Sequence, residues 1–351
     1  MVNKSRISFE EQLEDAPLDL RGFDRPRALI EAIDEDLTPL LDLVKRPVIS
    51  AGQFTAKQIL QLARLSARFE TQPQLTTRPL TGKILISAFY EPSTRTRLSF
   101  ESAWHRLGGD IMSITDSAST GIAKGESLKD IGEMLNSYGD LVVLRDSNEN
   151  SVYEMAESLR IPIINGGNGC DEHPTQALAD IYALLKWRPS ICRKPYPDPP
   201  IRFGIIGVPG RMRTVRSLLL LLANFAYALD EIVVVSDQDE PFAKGQLDEL
   251  TGNGLKVRIT DRFDQELPKL DVVYQNAILW TGNDYQELGV KFRLNARSPL
   301  KHGAIVLHPL ARGPELCSDL DDTVHNWYFA QARGAVFIRM ALLATILKVF
   351  V

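Results

Sequence analysis

The chain has 351 residues, and its 40 Lys and Arg against 45 Asp and Glu leave a formal charge of −5. Apolar residues make up 44% and charged residues 24%, which excludes a disordered chain and gives no global attraction to nucleic acid or anionic lipid. The three cysteines, Cys170, Cys192 and Cys317, are far apart and odd in number, which argues against a disulfide framework or a zinc site and for a reducing, cytoplasmic setting.

In chain order, residues 1–46 are polar and acid-rich, with no apolar core of a secretory signal. They read as an N-terminal extension that packs on the surface, with short helical patches such as Arg27 to Val44. From Thr55, the apolar residues Ile59, Leu60, Leu62, Ala63 and Leu65 recur at helical spacing. KILISAFY (83–90) reads as a buried strand and is followed by a helix from Ser93 to Leu107. LVVLR (141–145) and IPIING (161–166) read as strands, with helices at 153–159 and 173–187.

Five prolines in 188–200 mark a domain junction. Beyond it, 201–207, 231–236, 255–260, 271–276 and 304–309 read as strands, and Arg213 to Ala228 as a helix. The longest apolar run, Leu218 to Ala228, is interrupted by Asn224 and is well short of the ~20 residues that span a bilayer, so no membrane segment is expected. The chain closes on an apolar helix from Ala335 to Val351. Strands alternating with helices predict an α/β fold of two tandem domains, each a parallel sheet flanked by helices.

The chemistry concentrates at strand ends. After the strand that ends at Tyr90, Ser93, Thr94 and Thr96 cluster with Arg95 and Arg97 at a helix start. Open N–H groups and the positive end of a helix bind phosphate, and arginine forks add bidentate charge. The same residues also fit a simple helix cap with two solvated arginines. Arg145 ends the next strand, and His173 and Gln176 stand at the loop-to-helix junction after IPIING. Ligands in open α/β sheets lie beyond the carboxyl ends of strands, and three such ends offering polar groups together define a candidate site.

The segments PSTRTR with FE, SASTGIAKGES, VVLRD, EHPTQAL and HPLAR, in this order, resemble the aspartate/ornithine carbamoyltransferase family over about residues 47 to 351, and Thr175 in HPTQ resembles its aspartate branch. The resemblance implies a carbamoyl phosphate-binding domain at 47–187, an amino-acid-binding domain at 188–330, and a C-terminal helix (331–351) returning to the first domain. It implies that Ser93, Thr94, Arg95 and Thr96 hold phosphate, that Arg145, His173 and Thr96 polarise the carbonyl oxygen, and that Gln176 with the carbonyls near Pro309 and Leu310 holds the carbamoyl amide. Arg213 matches the arginine that contacts the acceptor's α-carboxylate, with Arg211 an extra positive charge beside it. Lys124 and Thr120 match a mobile loop that enters a neighbouring subunit's site, which implies a homotrimer. No metal or organic cofactor is implied; the partners are carbamoyl phosphate and an amino acid.

Two segments depart from the family pattern. Ala277 and Leu279 stand where aspartate enzymes carry an arginine and a glutamine that grip the aspartate side chain, and Trp280 lies beside them. Loss of one charge-assisted hydrogen bond costs ~1.5–3 kcal/mol. Ala311 stands where the family has a proline after a cis bond, and the intact flanking pattern predicts a retained cis bond between Leu310 and Ala311. The expected activity is carbamoyl transfer to an amino acid, aspartate by default, in pyrimidine synthesis. The alternatives are a paralogue using another amine and a non-catalytic carbamoyl phosphate-binding paralogue.

Overall fold

The computed structural model describes residues 25–72, 77–276 and 291–349. Its first half carries helices α1 (Arg25–Ala32), α2 (Ala56–Thr71), α3 (Thr94–Arg106), α4 (Leu128–Leu135), α5 (Ser151–Ala156) and α6 (Pro174–Trp187), around strands β1 (Ile84–Phe89), β2 (Asp110–Ile114), β3 (Leu141–Asp146) and β4 (Ile163–Asn168). The strands are parallel in the order β2-β1-β3-β4. The second half carries β5 (Ile201–Ile206), α7 (Arg213–Ala223), β6 (Leu229–Val235), α8 (Gln246–Gly252), β7 (Val257–Thr260), α9 (Phe263–Glu266), β8 (Val272–Gln275) and β9 (Ile305–Leu307). These form a second parallel sheet, β7-β6-β5-β8-β9. The expected α/β architecture of two parallel sheets flanked by helices is the one observed.

The central strands β3 and β8 are buried along almost their whole length, which is why they read as unbroken apolar runs. The edge strand β2 has three exposed residues of five, carries no such run, and escaped the sequence reading; α4 did too. Helix α7 ends at Ala223 rather than Ala228, because the Asn224 side chain turns away to donate to the Phe54 carbonyl at 3.3 Å.

The closing helix, α10 (Tyr328–Ile346), packs against α2, α3 and α6. It begins before the expected Ala335, where Gln331 and Arg333 mask the apolar pattern. By length and composition it could cross a bilayer, yet 78% of it is buried against the rest of the fold. The expected surface extension also needs correction. Leu29, Ile33, Leu40 and Leu43 are buried in the same core as α2 and α6, and the Lys45 amide donates to the Ile346 carbonyl at 2.8 Å. Apolar side chains four apart at 29 and 33 give one buried face, which the charged residues of the segment as a whole hide in a composition count.

Candidate active site

The carboxyl ends of β1, β3 and β4 meet those of the second sheet across a cleft of about 700 Å³. It is lined by Ser93, Thr94, Arg95, Thr96, Arg145, His173, Gln176, Arg213, Pro309 and Leu310. Sequence-remote residues come together here because each follows a strand that ends at the same edge. The volume suits small polar ligands.

Ser93 occupies the N-cap position of α3, and its side chain makes no capping hydrogen bond. The hydroxyl therefore remains available to a ligand beside the helix's open N–H groups. Arg95, one residue into the helix, points its guanidinium at no ion-pair partner among the described residues. Ser99 braces this turn from behind, donating to the Arg95 carbonyl at 2.6 Å and the Thr96 carbonyl at 2.9 Å.

Arg145 owes its aim to an irregularity. Leu144 pairs with Asn165 but Asp146 with Asn168, so β4 carries one extra residue opposite Arg145. Gly167, in this bulge, has φ +113°, and a Cβ there would stand 3.0 Å from Arg145 Nη1, 3.3 Å from His173 Cδ2 and 3.4 Å from Arg213 Nε. A side chain would thus enter the space where the three functional groups meet, and the backbone conformation also favours glycine.

Glu91, the residue between the strand ending at Tyr90 and the PSTRTR motif, joins the two halves. It accepts from Arg145 Nη2 at 3.0 Å and from both Arg213 terminal nitrogens at 3.2 Å. Arg213 also donates to the Gly169 carbonyl at 2.6 Å. Burial, then the positive charge of Arg213, pulls the Arg145 guanidinium down to about 10, and Glu91 opposes both. The signal for Glu91 was a carboxylate directly before a cation cluster, which needs a charge partner.

His173 is buried, with Nε2 3.2 Å from Thr96 Oγ1, and its backbone amide donates to Ser217 Oγ at 2.9 Å. Burial, followed by the charges of Arg145, Arg339 and Arg213, holds its proton affinity well below that of an ordinary imidazole. It is therefore neutral near pH 7. The unfolded chain binds the proton first, so this group removes stability as pH falls below about 6.5. From about pH 8 to about pH 6, the Tm of the native protein is expected to drop further than that of His173→Gln; equal drops would refute the neutral, buried assignment.

The Leu310–Ala311 peptide is cis, as expected from the flanking motif. The loop is held at its root: the Leu310 amide donates to His308 Nδ1 at 2.9 Å, which leaves His308 Nε2 to donate to Glu315 at 3.1 Å.

Lys124 and Thr120 do not line the cleft. Lys124 is exposed on the 3₁₀ turn Gly121–Lys124, and the Thr120 hydroxyl caps that turn, accepting from the Ile122 amide at 3.3 Å. Arg211 lines the second-sheet side of the cleft with Asp237, Gln238 and Asn276. Ala277, Leu279 and Trp280 lie outside the described residues.

A cleft between two parallel-sheet units, with one phosphate-type helix N-terminus and three converging arginines, defines a protein built to hold anionic small molecules at a domain junction. The family comparison gives the class its name. Residues 46–186 match the carbamoyl-P binding domain, and residues 200–346 the Asp/Orn binding domain, of aspartate/ornithine carbamoyltransferase. The chain belongs to that family. The aspartate carbamoyltransferase catalytic subunit of Thermococcus kodakarensis is 36% identical over 322 residues, covering 88% of this chain and 99% of its own. The Methanopyrus kandleri catalytic subunit is 34% identical over 310 residues, covering 86% and 97%. Crystal structures of aspartate transcarbamoylase from Trypanosoma cruzi, with carbamoyl aspartate and phosphate or with aspartate and phosphate, superpose with TM-score 0.78 at 30% identity. They cover 89% of this chain and 99% and 98% of their own.

Proposed function

We propose that this enzyme transfers the carbamoyl group of carbamoyl phosphate to the amino group of an amino acid, with L-aspartate as the default acceptor, giving N-carbamoyl-L-aspartate and phosphate in pyrimidine synthesis. The observation that carries the reading is the convergence of Arg95, Arg145, Arg213 and neutral His173 on one cleft at the N-terminus of α3.

Ser93, Thr94, Arg95 and Thr96 bind the phosphate. A neutral amine attacks the carbonyl carbon, and negative charge grows on the carbonyl oxygen as a tetrahedral intermediate forms. Arg145, His173 and Thr96 are preorganised around that oxygen and lower the barrier. The C–O bond to phosphate then breaks, Arg95 and the helix N-terminus stabilise the departing dianion, and the phosphate takes the amine's proton. Arg213 holds the acceptor's α-carboxylate once Glu91 yields part of it. Gln176 and the carbonyls at Pro309 and Leu310 receive the carbamoyl N–H groups. Holding both small molecules in one cleft supplies much of the rate.

The division into a donor-binding domain at 47–187 and an acceptor-binding domain at 188–330 is part of this reading, as is a cytoplasmic location. So is a homotrimer in which Lys124 and Thr120 complete a neighbour's site. Their place outside the cleft of their own chain supports this, as do the exposed apolar side chains Leu98, Met112, Met134 and Tyr138 on that half. A different acceptor amine is favoured by one observation: Ala277 and Leu279 stand in the sequence where aspartate enzymes carry an arginine and a glutamine, while Arg211 and Asp237 line the cleft with charges of both signs.

The test is phosphate release from carbamoyl phosphate with a panel of amino acids. Turnover with aspartate at ordinary concentrations is expected. Turnover with another amine alone would replace the acceptor, and no amine-dependent turnover would leave a carbamoyl phosphate-binding paralogue.

A further inference from the structure

One buried carboxylate behind the cleft has no part in the chemistry above. Asp180 lies one turn beyond Gln176 on α6 and is fully buried. Its Oδ1 accepts from Gln176 Nε2 at 2.7 Å and from Gln331 Nε2, on α10, at 2.6 Å. Its Oδ2 accepts from the Tyr274 hydroxyl, on β8 of the second sheet, at 2.9 Å. An ionised carboxylate only accepts hydrogen bonds, so each amide facing it must turn its NH₂ inward and its oxygen outward. For Gln331 the outward oxygen accepts the His308 amide at 2.8 Å, at the root of the loop that carries Pro309 and Leu310. Gln176 lines the cleft, so the same constraint leaves its oxygen for a ligand there.

We infer that Asp180 is a positioning residue that sets donor specificity: by fixing the Gln176 amide directly, and the root of the Pro309–Leu310 loop through Gln331, it makes Gln176 present a hydrogen-bond acceptor to the cleft. That acceptor then selects a donor bearing N–H groups, a carbamoyl rather than an acetyl or carboxyl phosphate. This rests on the reading of Gln176 as the partner of the carbamoyl amide. Sequence spacing alone hides the device, because an Asp four residues after a Gln on a helix is commonly a solvated pair.

Burial pushes the Asp180 carboxyl up to about 6, against the three hydrogen bonds that favour its charge. The titratable and charged groups facing it are Tyr274 from β8 and Arg339 from α10. A protonated Asp180 donates as well as accepts, and the orientation of Gln176 is then no longer enforced.

The experiment compares binding of phosphonoacetamide with that of 2-oxopropylphosphonate, in which a methyl group replaces the NH₂, with inorganic phosphate as a third ligand. The native protein is expected to prefer the amide by about tenfold, the weight of one or two hydrogen bonds. Asp180→Asn is expected to lose most of that preference while keeping phosphate affinity within about twofold, since the α3 site is untouched. A preference retained in Asp180→Asn overturns the inference and leaves the proposed function standing. A native protein that binds phosphate but shows no amide preference overturns the role of Gln176, and the inference with it. Should Asp180→Asn fail to fold, the native protein supplies the answer at two pH values. The preference is expected to fall between about pH 8 and about pH 5, one unit below the value that burial imposes on Asp180. Both phosphonates share their own titration, so an unchanged ratio overturns the inference.

Discussion

Arg95→Ala is expected to weaken phosphate binding about a thousandfold. The guanidinium lies at the open N-terminus of α3, lines the cleft, and has no ion-pair partner among the described residues, so its charge is held for a ligand. Two charge-assisted hydrogen bonds at ~1.5–3 kcal/mol each sum to about 4 kcal/mol, and every ~1.4 kcal/mol is tenfold. The fold should be indifferent, since Ser99 holds the turn through backbone carbonyls that the substitution leaves in place. Titration calorimetry with inorganic phosphate reads the effect, and affinity retained within about threefold would remove Arg95 from the phosphate site.

The second large effect falls on rate rather than binding. Arg145→Ala is expected to lower kcat by about 10² to 10³, the usual cost of one preorganised oxyanion donor, with phosphate affinity changed only a few-fold. The side chain is buried, opposes the β4 bulge, and donates to Glu91 and to the Gly166 carbonyl. Its removal leaves Glu91 with Arg213, so the carboxylate keeps a partner and the cleft keeps its shape. Steady-state kinetics separates the two parameters; a rise in KM with unchanged kcat would make Arg145 a binding group instead.

Much of the site was legible because it is written in short motifs at strand ends. PSTRTR, VVLRD and EHPTQ each place polar groups where a buried strand stops, and the parallel topology gathers those stops at one edge. The same logic explains what stayed hidden. Glu91 stands just before PSTRTR, but its pairing with Arg213 joins the two halves across 122 residues, and no local pattern encodes that distance. Asp180 and Gln331 meet across 151 residues of chain for the same reason. In the fold, the missed strand β2 is a half-exposed edge whose apolar residues are broken by Ser113, whereas Leu29 and Leu40 are core residues in short segments with too few turns to show a period. Periodicity reads burial well only when a whole face is buried.

The acceptor side is the least legible part. Arg213, Arg211 and Asp237 line the cleft, but Ala277 and Leu279, which stand where the family's aspartate enzymes carry an arginine and a glutamine, have no charge of their own. A site assembled for carbamoyl transfer and altered only there would keep its donor chemistry and shift its choice of amine.

The central claim, transfer of the carbamoyl carbon, is tested most directly by incubating the purified protein with ¹³C-carbamoyl phosphate and an amino acid and following the carbonyl by NMR. The label is expected to move to an N-carbamoyl amino acid, first of all N-carbamoyl-L-aspartate, with stoichiometric phosphate. Label that leaves carbamoyl phosphate only at the rate of the protein-free control, with every amine offered, would contradict it.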